Sequence, residues 1–327
     1  MTKLFFWAAA AAAAGSALLM AGAPAFAKGC DNACLSGFTD QYLDALAARN
    51  PAALPLAPRA RLTENTRPLK FGDGLWATVS GLGPYRHHFN DVENGQAGLY
   101  ATIVENGSPA LFTLRLKVAN GRISEAETLV VRDQTMGKFL KTDATAPKPI
   151  WADRLAPSER MSREEMVRAV DHYFDGLNRG DGDIVPFDEN CVRTENGVQT
   201  ANNPRGTGGP AMFPDHPELR LGEMTCRAQF NTGLVKYIQE VKPRRYLIVD
   251  EDRGLVFGIF MFRHPGTITA VEVPSIGKVP MMKAALYPFD VEVAELFKLK
   301  NRRIREIEAE MISLPYRSET GWDDGAQ

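Results

Sequence analysis

The densest group of polar side chains that could do chemistry lies in the run Tyr85-Arg86-His87-His88-Phe89-Asn90-Asp91. Alternate side chains of a β-strand face opposite sides. Tyr85 and His87 would then face one side, and Arg86 and His88 the other. Histidine ordinarily titrates near neutral pH and suits general acid–base catalysis. Each side therefore offers one histidine, and the sequence does not decide which side faces a pocket.

Glu64, in Thr63-Glu64-Asn65, is the carboxylate that we predict to act with this run. A buried carboxylate needs a partner, so Glu64 is either a pocket carboxylate or the partner of Arg86. In the first case Glu64 orients His87 or His88, while Arg86 and Tyr85 stabilise a developing oxyanion. In the second, Arg86 has a structural role, with Asp91 as its other possible partner. The predicted catalytic residues are His88, His87, Glu64 and Arg86.

Aromatic and amide side chains supply the predicted ligand contacts. Trp76 follows the turn residues Gly72 and Gly74, where its ring could stack on a ligand or pack in the core. Tyr42 could present its hydroxyl to a pocket or pack beneath it. The predicted ligand-binding residues are Trp76, Tyr85, Tyr42 and Asn65. The sequence contains no G-x-S-x-G, Walker, G-x-G-x-x-G or H-E-x-x-H motif, so we expect neither a cofactor nor a metal.

The chain repeats itself. Thr63-Glu64-Asn65 recurs as Thr194-Glu195-Asn196, and Tyr42 recurs as Tyr173 at the same offset of 131 residues. Further matches follow in order: Arg86 with Arg245, Asp91 with Asp250, Gly95 with Gly254, and Lys117, Asn120, Ile123 and Glu125 with Lys298, Asn301, Ile304 and Glu306. We interpret the halves as homologous repeats of ordinary domain size. On this alignment Tyr246 and Leu247 replace His87 and His88, which places any histidine-dependent site in the first half.

The predicted organisation has five parts. Residues 1–27 form a signal peptide, 28–132 a first domain, 133–160 a proline-containing linker, 161–318 a second domain and 319–327 a C-terminal tail. The second domain is longer because of two Gly/Pro-rich insertions, one of which holds residues 203–210. Such insertions are often lids or partner surfaces.

Apolar periodicity predicts a helix at the start of each half, with Leu35, Tyr42 and Leu46 on one side of the first. Alternating strands near residues 99–104, 110–118 and 122–131 then meet at Asn106-Gly107 and Asn120-Gly121, which are typical hairpin turns. Residues 246–249, 255–262, 292–299 and 303–312 are predicted to play the same parts in the second half. Helices followed by a curved antiparallel sheet indicate the α+β class.

Four cysteines allow three disulfide pairings. Closeness in sequence favours Cys30 with Cys34 and Cys191 with Cys226. A four-thiolate zinc site is the alternative, although the usual paired C-x2-C spacing is absent.

The N-terminus indicates export. Lys3 precedes an apolar, alanine-rich run that ends in Ala25-Phe26-Ala27, which is typical of a signal peptide cleaved after Ala27. An uncleaved membrane anchor is the alternative. A secreted or periplasmic protein in an oxidising compartment fits the predicted disulfides.

Composition narrows the possible partners. The net charge of −2 over 327 residues lacks the positive excess that nucleic-acid binding needs. We expect no nucleic-acid partner, no membrane partner once the signal peptide is removed, and either a monomer whose halves form a pseudo-dimer or a homodimer.

The element pattern of helices, a short strand and a closing antiparallel meander resembles the nuclear-transport-factor-2-like, or SnoaL-like, cone fold. The chain is also similar to an exported family with two such domains in tandem, through residues 54–58 (LPLAP), 62–65 (LTEN), 72–76 (GDGLW), 249–256 (VDEDRGLV) and the terminal Pro315-Tyr316 and Gly321-Trp322. The resemblance implies two cone-shaped domains, each with helices packed on a curved sheet, and a cavity that often holds a His–carboxylate pair.

Two functions follow as expectations. The first is a small-molecule site in the N-terminal cone that performs cofactor-free lyase, isomerase or dehydratase chemistry. The second is a non-catalytic binding or scaffold module, since a fold does not determine an activity.

Overall fold

The computed structural model describes residues 30–132, 140–204, 213 and 215–322. The predicted signal peptide, residues 133–139 of the linker, most of the loop at 203–210 and residues 323–327 of the tail lie outside them. The first half (residues 30–132) contains helices α1 (Asn32–Ala47) and α2 (Leu75–Thr78), and strands β1 (Leu56–Glu64), β2 (Arg67–Leu69), β3 (Val79–Asp91), β4 (Gln96–Glu105), β5 (Ser108–Ala119) and β6 (Arg122–Val131).

The second half (residues 161–322) contains helices α3 (Arg163–Arg179) and α4 (Cys226–Asn231). Its strands are β7 (Phe187–Glu195), β8 (Val198–Ala201), β9 (Glu240–Asp250), β10 (Leu255–His264), β11 (Ala270–Val273), β12 (Gly277–Pro280), β13 (Phe289–Lys300) and β14 (Arg303–Pro315). We call residues 140–160 the connecting segment.

Two six-stranded sheets dominate the molecule and share one strand order. The first sheet runs β2-β1-β6-β5-β4-β3 and the second runs β8-β7-β14-β13-β10-β9. In both sheets the first long strand pairs in parallel with the last one, β1 with β6 and β7 with β14. The remaining neighbours are antiparallel. The predicted α+β class is confirmed in this form, with few helices and two large sheets.

Local sequence explains where the main helices and hairpins begin and end. The Asp31 side chain caps α1 by accepting a hydrogen bond from the Cys34 amide at 2.9 Å. Ser162 and Glu165 form a capping box at the start of α3, and Gly180 ends it in the left-handed region. Asn106 and Asn120 adopt the positive φ that the tight turns require.

The apolar side chains form separate cores. One core lies between α1 and the first sheet, and another between α3 and the second sheet. A third core joins the other sides of the two sheets and includes Phe89, Tyr100, Phe257 and Leu296. The sheets therefore pack against each other, and we call this contact the sheet interface.

Both predicted disulfides are confirmed. Cys30 bonds to Cys34, and Cys191 bonds to Cys226. All four cysteines are thereby consumed, which contradicts the alternative of a four-thiolate zinc site. In the part of the chain that the structure describes, no helix is long and apolar enough to cross a membrane.

Candidate functional site

The interior of the first half is filled by side chains. The Trp76 indole lies edge-on to Tyr42, with ring centroids 5.2 Å apart, and its N–H donates to the Tyr42 hydroxyl at 3.2 Å. Tyr42 in turn stacks on Phe112. The space between these rings and Leu46 is too small to hold a water molecule. Trp76 and Tyr42, both predicted to contact a ligand, are thus packed in a closed core.

Glu64 and Asn65 bond to groups of the first half, away from the histidines. One Glu64 oxygen accepts a hydrogen bond from the Leu75 amide at 2.7 Å, and the other pairs with Arg132 at 2.9 Å. Asn65 turns through a positive φ, accepts from the Val130 amide at 2.7 Å and donates to the Val130 carbonyl at 3.2 Å. The structure does not bring Glu64 together with His87, His88 or Arg86.

The side of β3 that faces α1 carries Arg86 and His88. Both contact Asp40 on α1, Arg86 at 3.0 Å and His88 at 3.2 Å. Asp40 rather than Glu64 or Asp91 is therefore the partner of Arg86. This cluster is about one-third exposed.

The opposite side of β3 carries Tyr85 and His87 into the sheet interface. His87 Nδ1 lies 2.8 Å from one oxygen of Glu308, and the Tyr85 hydroxyl donates to the other at 2.6 Å. Glu308 belongs to β14 of the second half. A His–carboxylate pair is thus formed across the two halves, and its carboxylate is Glu308, not the predicted Glu64.

A groove opens beside this pair at one end of the sheet interface. We call it the interface groove; its volume is about 850 Å³, and its lining includes Tyr85, Leu111, Lys148, Trp151, Glu308 and Glu310. The connecting segment crosses it and is fixed by an ion pair between Lys148 and Glu306. Trp151 packs against His87, with ring centroids 5.1 Å apart.

Burial shapes the titration of the groove residues. Desolvation, with Glu308 adding its negative charge, raises the pKa of the Tyr85 hydroxyl. Desolvation also raises the pKa of Glu310 well above its ordinary value, although Thr113 donates a hydrogen bond to it at 2.6 Å. The pKa of Glu306 is raised by burial too, and Lys148 opposes that rise.

The other end of the sheet interface carries the equivalent pair. Glu127 pairs with Thr63 in the register of β6 and β1, as Glu308 pairs with Thr194 in β14 and β7. Arg245 on β9 bonds to Glu127 at 2.6 Å, where His87 on β3 bonds to Glu308. Trp322 covers this pair, and the guanidinium groups of Arg61, Arg115 and Arg245 lie over its ring. We call this region the Trp322 end.

A one-residue bulge in β9 changes which residues of the second half are equivalent to those of β3. The register between β9 and β10 slips between Phe257 and Gly258. Arg244 and Tyr246 consequently contact Asp171 on α3, at 2.8 and 2.6 Å, as Arg86 and His88 contact Asp40 on α1. Arg86 is therefore equivalent to Arg244, and the predicted match of Arg86 with Arg245 is wrong by one residue.

The interior of the second half is polar where that of the first is apolar. Tyr173 donates to Glu295 at 3.1 Å, and burial raises the pKa of Glu295 to about 8. Arg193 lies nearby and bonds to Gln229. The strand registers put Leu62 and Leu114 of the first half at the places of Arg193 and Glu295. Sequence analysis missed this cluster, although a comparison of the repeats at these positions could have found it.

Glu306, Glu308 and Glu310 were also missed. They alternate with Ile307, Ala309 and Met311 in one strand, which is the pattern of a strand with one solvated side. This side of β14 becomes an interface only because the first sheet packs against it. The alternation of glutamates with apolar residues was the available signal. The local sequence does not show whether the polar side of such a strand faces a groove or open solvent.

Comparisons with known proteins give weak likenesses. The model of a domain of unknown function, DUF8021, matches residues 159–311, slightly less than half of the chain. No curated protein matches.

Solved structures match over most of their own length, each covering about three-tenths of this chain. A steroid delta-isomerase from Pseudomonas aeruginosa is 14% identical, covers 31% of this chain and 81% of its own, and has a TM-score of 0.24. A candidate polyketide cyclase from Sinorhizobium meliloti is 20% identical, with coverages of 28% and 93% and a TM-score of 0.23. A protein from Sphaerobacter thermophilus is 16% identical, with coverages of 29% and 94% and a TM-score of 0.25. TM-scores of this size support no transfer of activity.

Proposed function

We propose that the protein is an exported small-molecule-binding protein that carries out cofactor-free acid–base chemistry, of the lyase or isomerase type, in the interface groove. The observation that carries the proposal is the groove of about 850 Å³ beside the His87–Glu308 pair. Small-molecule sites typically occupy about 300–1,000 Å³ and often lie between domains. The two disulfides are compatible with an exported protein.

Glu308 is the residue best placed to act as the base. It lines the groove and is bonded to Tyr85 and His87, so both of its oxygens are fixed in position. In the proposed step Glu308 takes a proton from a carbon of the substrate, and the electron pair of the broken C–H bond moves towards a neighbouring oxygen. Glu308 returns the proton to another carbon in an isomerisation, or to a leaving hydroxyl in an elimination.

Tyr85 and His87 have different parts in this step. Tyr85 lines the groove, and its hydroxyl is free to donate to the developing oxyanion once Glu308 carries the proton. His87 is nearly fully buried and bonds to Glu308. We therefore assign His87 as a positioning residue and Glu308 and Tyr85 as the groups that touch substrate.

The second candidate is a binding protein without catalysis. The burial of His87 and the existing hydrogen bonds of Glu308 favour it, because a fully bonded carboxylate is also what a rigid binding surface requires. Both candidates predict a ligand in the groove, and they differ in whether that ligand is changed.

Mass spectrometry of a metabolite extract incubated with the chain from residue 28 tests both. The variants are Glu308→Gln and His87→Gln, with His88→Gln as the matched control because His88 pairs with Asp40 on the other side of β3. Consumption of one compound by the wild type and the control, but not by Glu308→Gln, supports the enzyme. An unchanged ligand that the groove variants also retain supports the binding protein. No compound consumed or retained would overturn the proposal.

A further inference from the structure

The two ends of the sheet interface are related by the repeat, so each strand position at one end has a counterpart at the other. Thr63 pairs with Glu127 in the first sheet. Thr194 pairs with Glu308 at the same point of the second sheet. Because the registers agree, the group that occupies one end shows what these strand positions can accommodate at the other.

The segments that follow the two sheets reach the interface over equivalent turns. In residues 316–322, which we call the C-terminal segment, Gly321 lies so close to the Thr66 carbonyl that a side chain there would overlap it. In the connecting segment, the Lys141 carbonyl lies equally close to Gly197. Thr66 and Gly197 are 131 residues apart, which is the offset of the repeat. The two segments therefore cross corresponding points of the two sheets.

The residue that follows this crossing differs in size between the two segments. It is Trp322 in the C-terminal segment and Thr142 in the connecting segment. Trp322 is only 9% exposed, and its N–H donates to the Thr63 hydroxyl at 2.8 Å. At the other end the interface groove lies beside Thr194, the counterpart of Thr63. The chain thus supplies an aromatic ring at one end and a small side chain with a groove at the other.

The hydroxyl of Thr194 is available to a ligand. Thr194 lines the groove and is half-buried. In the part of the chain that the structure describes, no residue bonds to its side chain. A threonine hydroxyl can accept a hydrogen bond, as that of Thr63 does from Trp322. The groove therefore offers, at the corresponding strand position, the acceptor that the indole uses at the Trp322 end.

Two aromatic residues also line the groove. Tyr85 lies on one wall, and Trp151 is held in place by packing against His87, with ring centroids 5.1 Å apart. Aromatic rings attract one another in offset or edge-to-face arrangements, with centroids about 4.5–7 Å apart. A flat ring in the groove would therefore find aromatic surface beside the Thr194 hydroxyl.

The cations of the Trp322 end are not repeated at the groove end. The guanidinium groups of Arg61 and Arg115 lie over the Trp322 ring. The registers put Val192 and Leu296 at the corresponding positions. The features that the two ends share are thus a place for a flat ring and a hydroxyl acceptor at its edge, without the cation–π contacts.

We infer that the interface groove binds a planar aromatic ligand whose ring carries an N–H or O–H donor, with the ring beside Thr194 as Trp322 lies beside Thr63. This inference rests on the proposed function and specifies its substrate class. Thr194 acts as the specificity-determining residue, because its hydroxyl accepts the donor at the edge of the ring.

Equilibrium dialysis with three small probes tests the class. Indole has the ring and the N–H of tryptophan, benzothiophene has a ring of the same shape without the donor, and cyclohexanol has a donor without an aromatic ring. We expect indole to bind at one saturable site per chain. Benzothiophene should bind about fivefold more weakly, the effect of losing one hydrogen bond. Cyclohexanol should show no saturable binding.

Two substitutions locate the bound ring. Thr194→Val removes the hydroxyl and keeps the shape of the side chain, so it should weaken indole binding about fivefold and leave benzothiophene binding unchanged. Thr142→Trp places a tryptophan at the position equivalent to Trp322 and should block both probes. Thr145→Trp is the matched control, because Thr145 is exposed further along the same segment.

The outcomes separate this inference from the proposed function. Indole binding that Thr194→Val weakens and Thr145→Trp preserves supports the inference. The failure of both aromatic probes to bind would overturn it, as would cyclohexanol binding as tight as that of indole. Indole binding that neither Thr194→Val nor Thr142→Trp changes would also overturn it. If the metabolite extract nevertheless yields a groove-dependent ligand of another class, the proposed function stands and the aromatic class is wrong. If neither the extract nor the probes yield a ligand, both fail.

Discussion

The two ends of the sheet interface carry equivalent residues and differ in what lies over them. At one end His87 meets Glu308 beside an open groove, and at the other Arg245 meets Glu127 beneath Trp322. The strand registers are the same on both sides. The difference therefore comes from a few side chains and from the C-terminal segment, and not from the architecture of the sheets.

The Trp322 end has the features of a structural contact. Arg115 is almost completely buried and bonds to both Glu125 and Glu127. Burial opposes ionisation of Glu127, but the charges of Arg115 and Arg245 outweigh it and lower its pKa. Arginine keeps its charge at any ordinary pH. At the Trp322 end a permanently charged network beneath a tryptophan holds the two halves together. At the other end, His87, Tyr85 and Glu308 lie beside the interface groove.

The largest effect is expected from removing the carboxylate at each end. Glu127→Ala leaves Arg115 and Arg245 short of a buried partner and should lower the free energy of unfolding by about 3–5 kcal/mol. Glu308→Ala at the groove end should cost about 1–2 kcal/mol, because its partners are a histidine and a hydroxyl. Urea unfolding of both variants measures the difference. Equal losses at the two ends would contradict the structural distinction between them.

A second prediction concerns the cover over the Trp322 end. The Trp322 indole donates to the Thr63 hydroxyl at 2.8 Å and packs on three guanidinium groups. Trp322→Ala should reduce stability by about 3 kcal/mol, since a large buried ring and its cation–π contacts are lost. Thermal unfolding measures the loss, with Tyr287→Ala as control because Tyr287 is 71% exposed. A loss no larger than that of the control would show that Trp322 does not close this end.

A third prediction uses pH. Burial raises the pKa of Glu310 at the groove end and of Glu292 near Glu127. Each holds a proton in the folded chain that it loses in the unfolded chain above about pH 4.5, so each lowers stability as pH rises. The slope for one such group is at most about 1.4 kcal/mol per pH unit.

Glu310→Gln and Glu292→Gln should therefore flatten the fall in stability between pH 5 and 6, just above the pKa of an unfolded glutamate, by up to that amount each. Chemical denaturation at the two pH values measures this, and Glu319→Gln, outside both clusters, serves as the control. A fall in stability that stays as steep in both variants as in the wild type would be inconsistent with protonated carboxyls in the sheet interface.

The smallest predicted effect is the difference in stability between variants on the two sides of β3. His87→Gln removes a buried ring that bonds to Glu308 and contacts Trp151, and should cost about 1–2 kcal/mol. His88→Gln affects a partly exposed pair with Asp40 and should change stability by less than about 0.5 kcal/mol. Urea midpoints of the two variants provide the test. The reverse order would place the functional side of β3 towards α1.

Local sequence patterns were sufficient for much of the fold. The turns at Asn106-Gly107 and Asn120-Gly121 were predictable because they need a positive φ that asparagine and glycine adopt. The Cys30–Cys34 and Cys191–Cys226 pairs followed from closeness in sequence. The helices α1 and α3, which open the two halves, followed from apolar periodicity.

The site could be predicted only in part. His87 and Tyr85 were chosen on residue type, but Glu308 is 221 residues from His87 in the sequence, and only the packing of the two sheets brings them together. The bulge in β9 could not be read either, because one inserted residue changes which side chains face α3 without changing the apolar composition. Relative placement of the halves and strand bulges were thus the missing information.

The contact of Trp322 with Thr63 also sets an order of events in folding. These residues are 259 apart in the sequence, and the entropy lost in closing a loop grows with its length. The antiparallel strands that are neighbours in sequence can pair through hairpins, whereas the contact of Trp322 with Thr63 gains energy only after both sheets are in place. We therefore expect the Trp322 end to be the last part of the interface to assemble. A protease that removes the residues after Pro315 would leave an otherwise folded chain with both ends of its interface exposed.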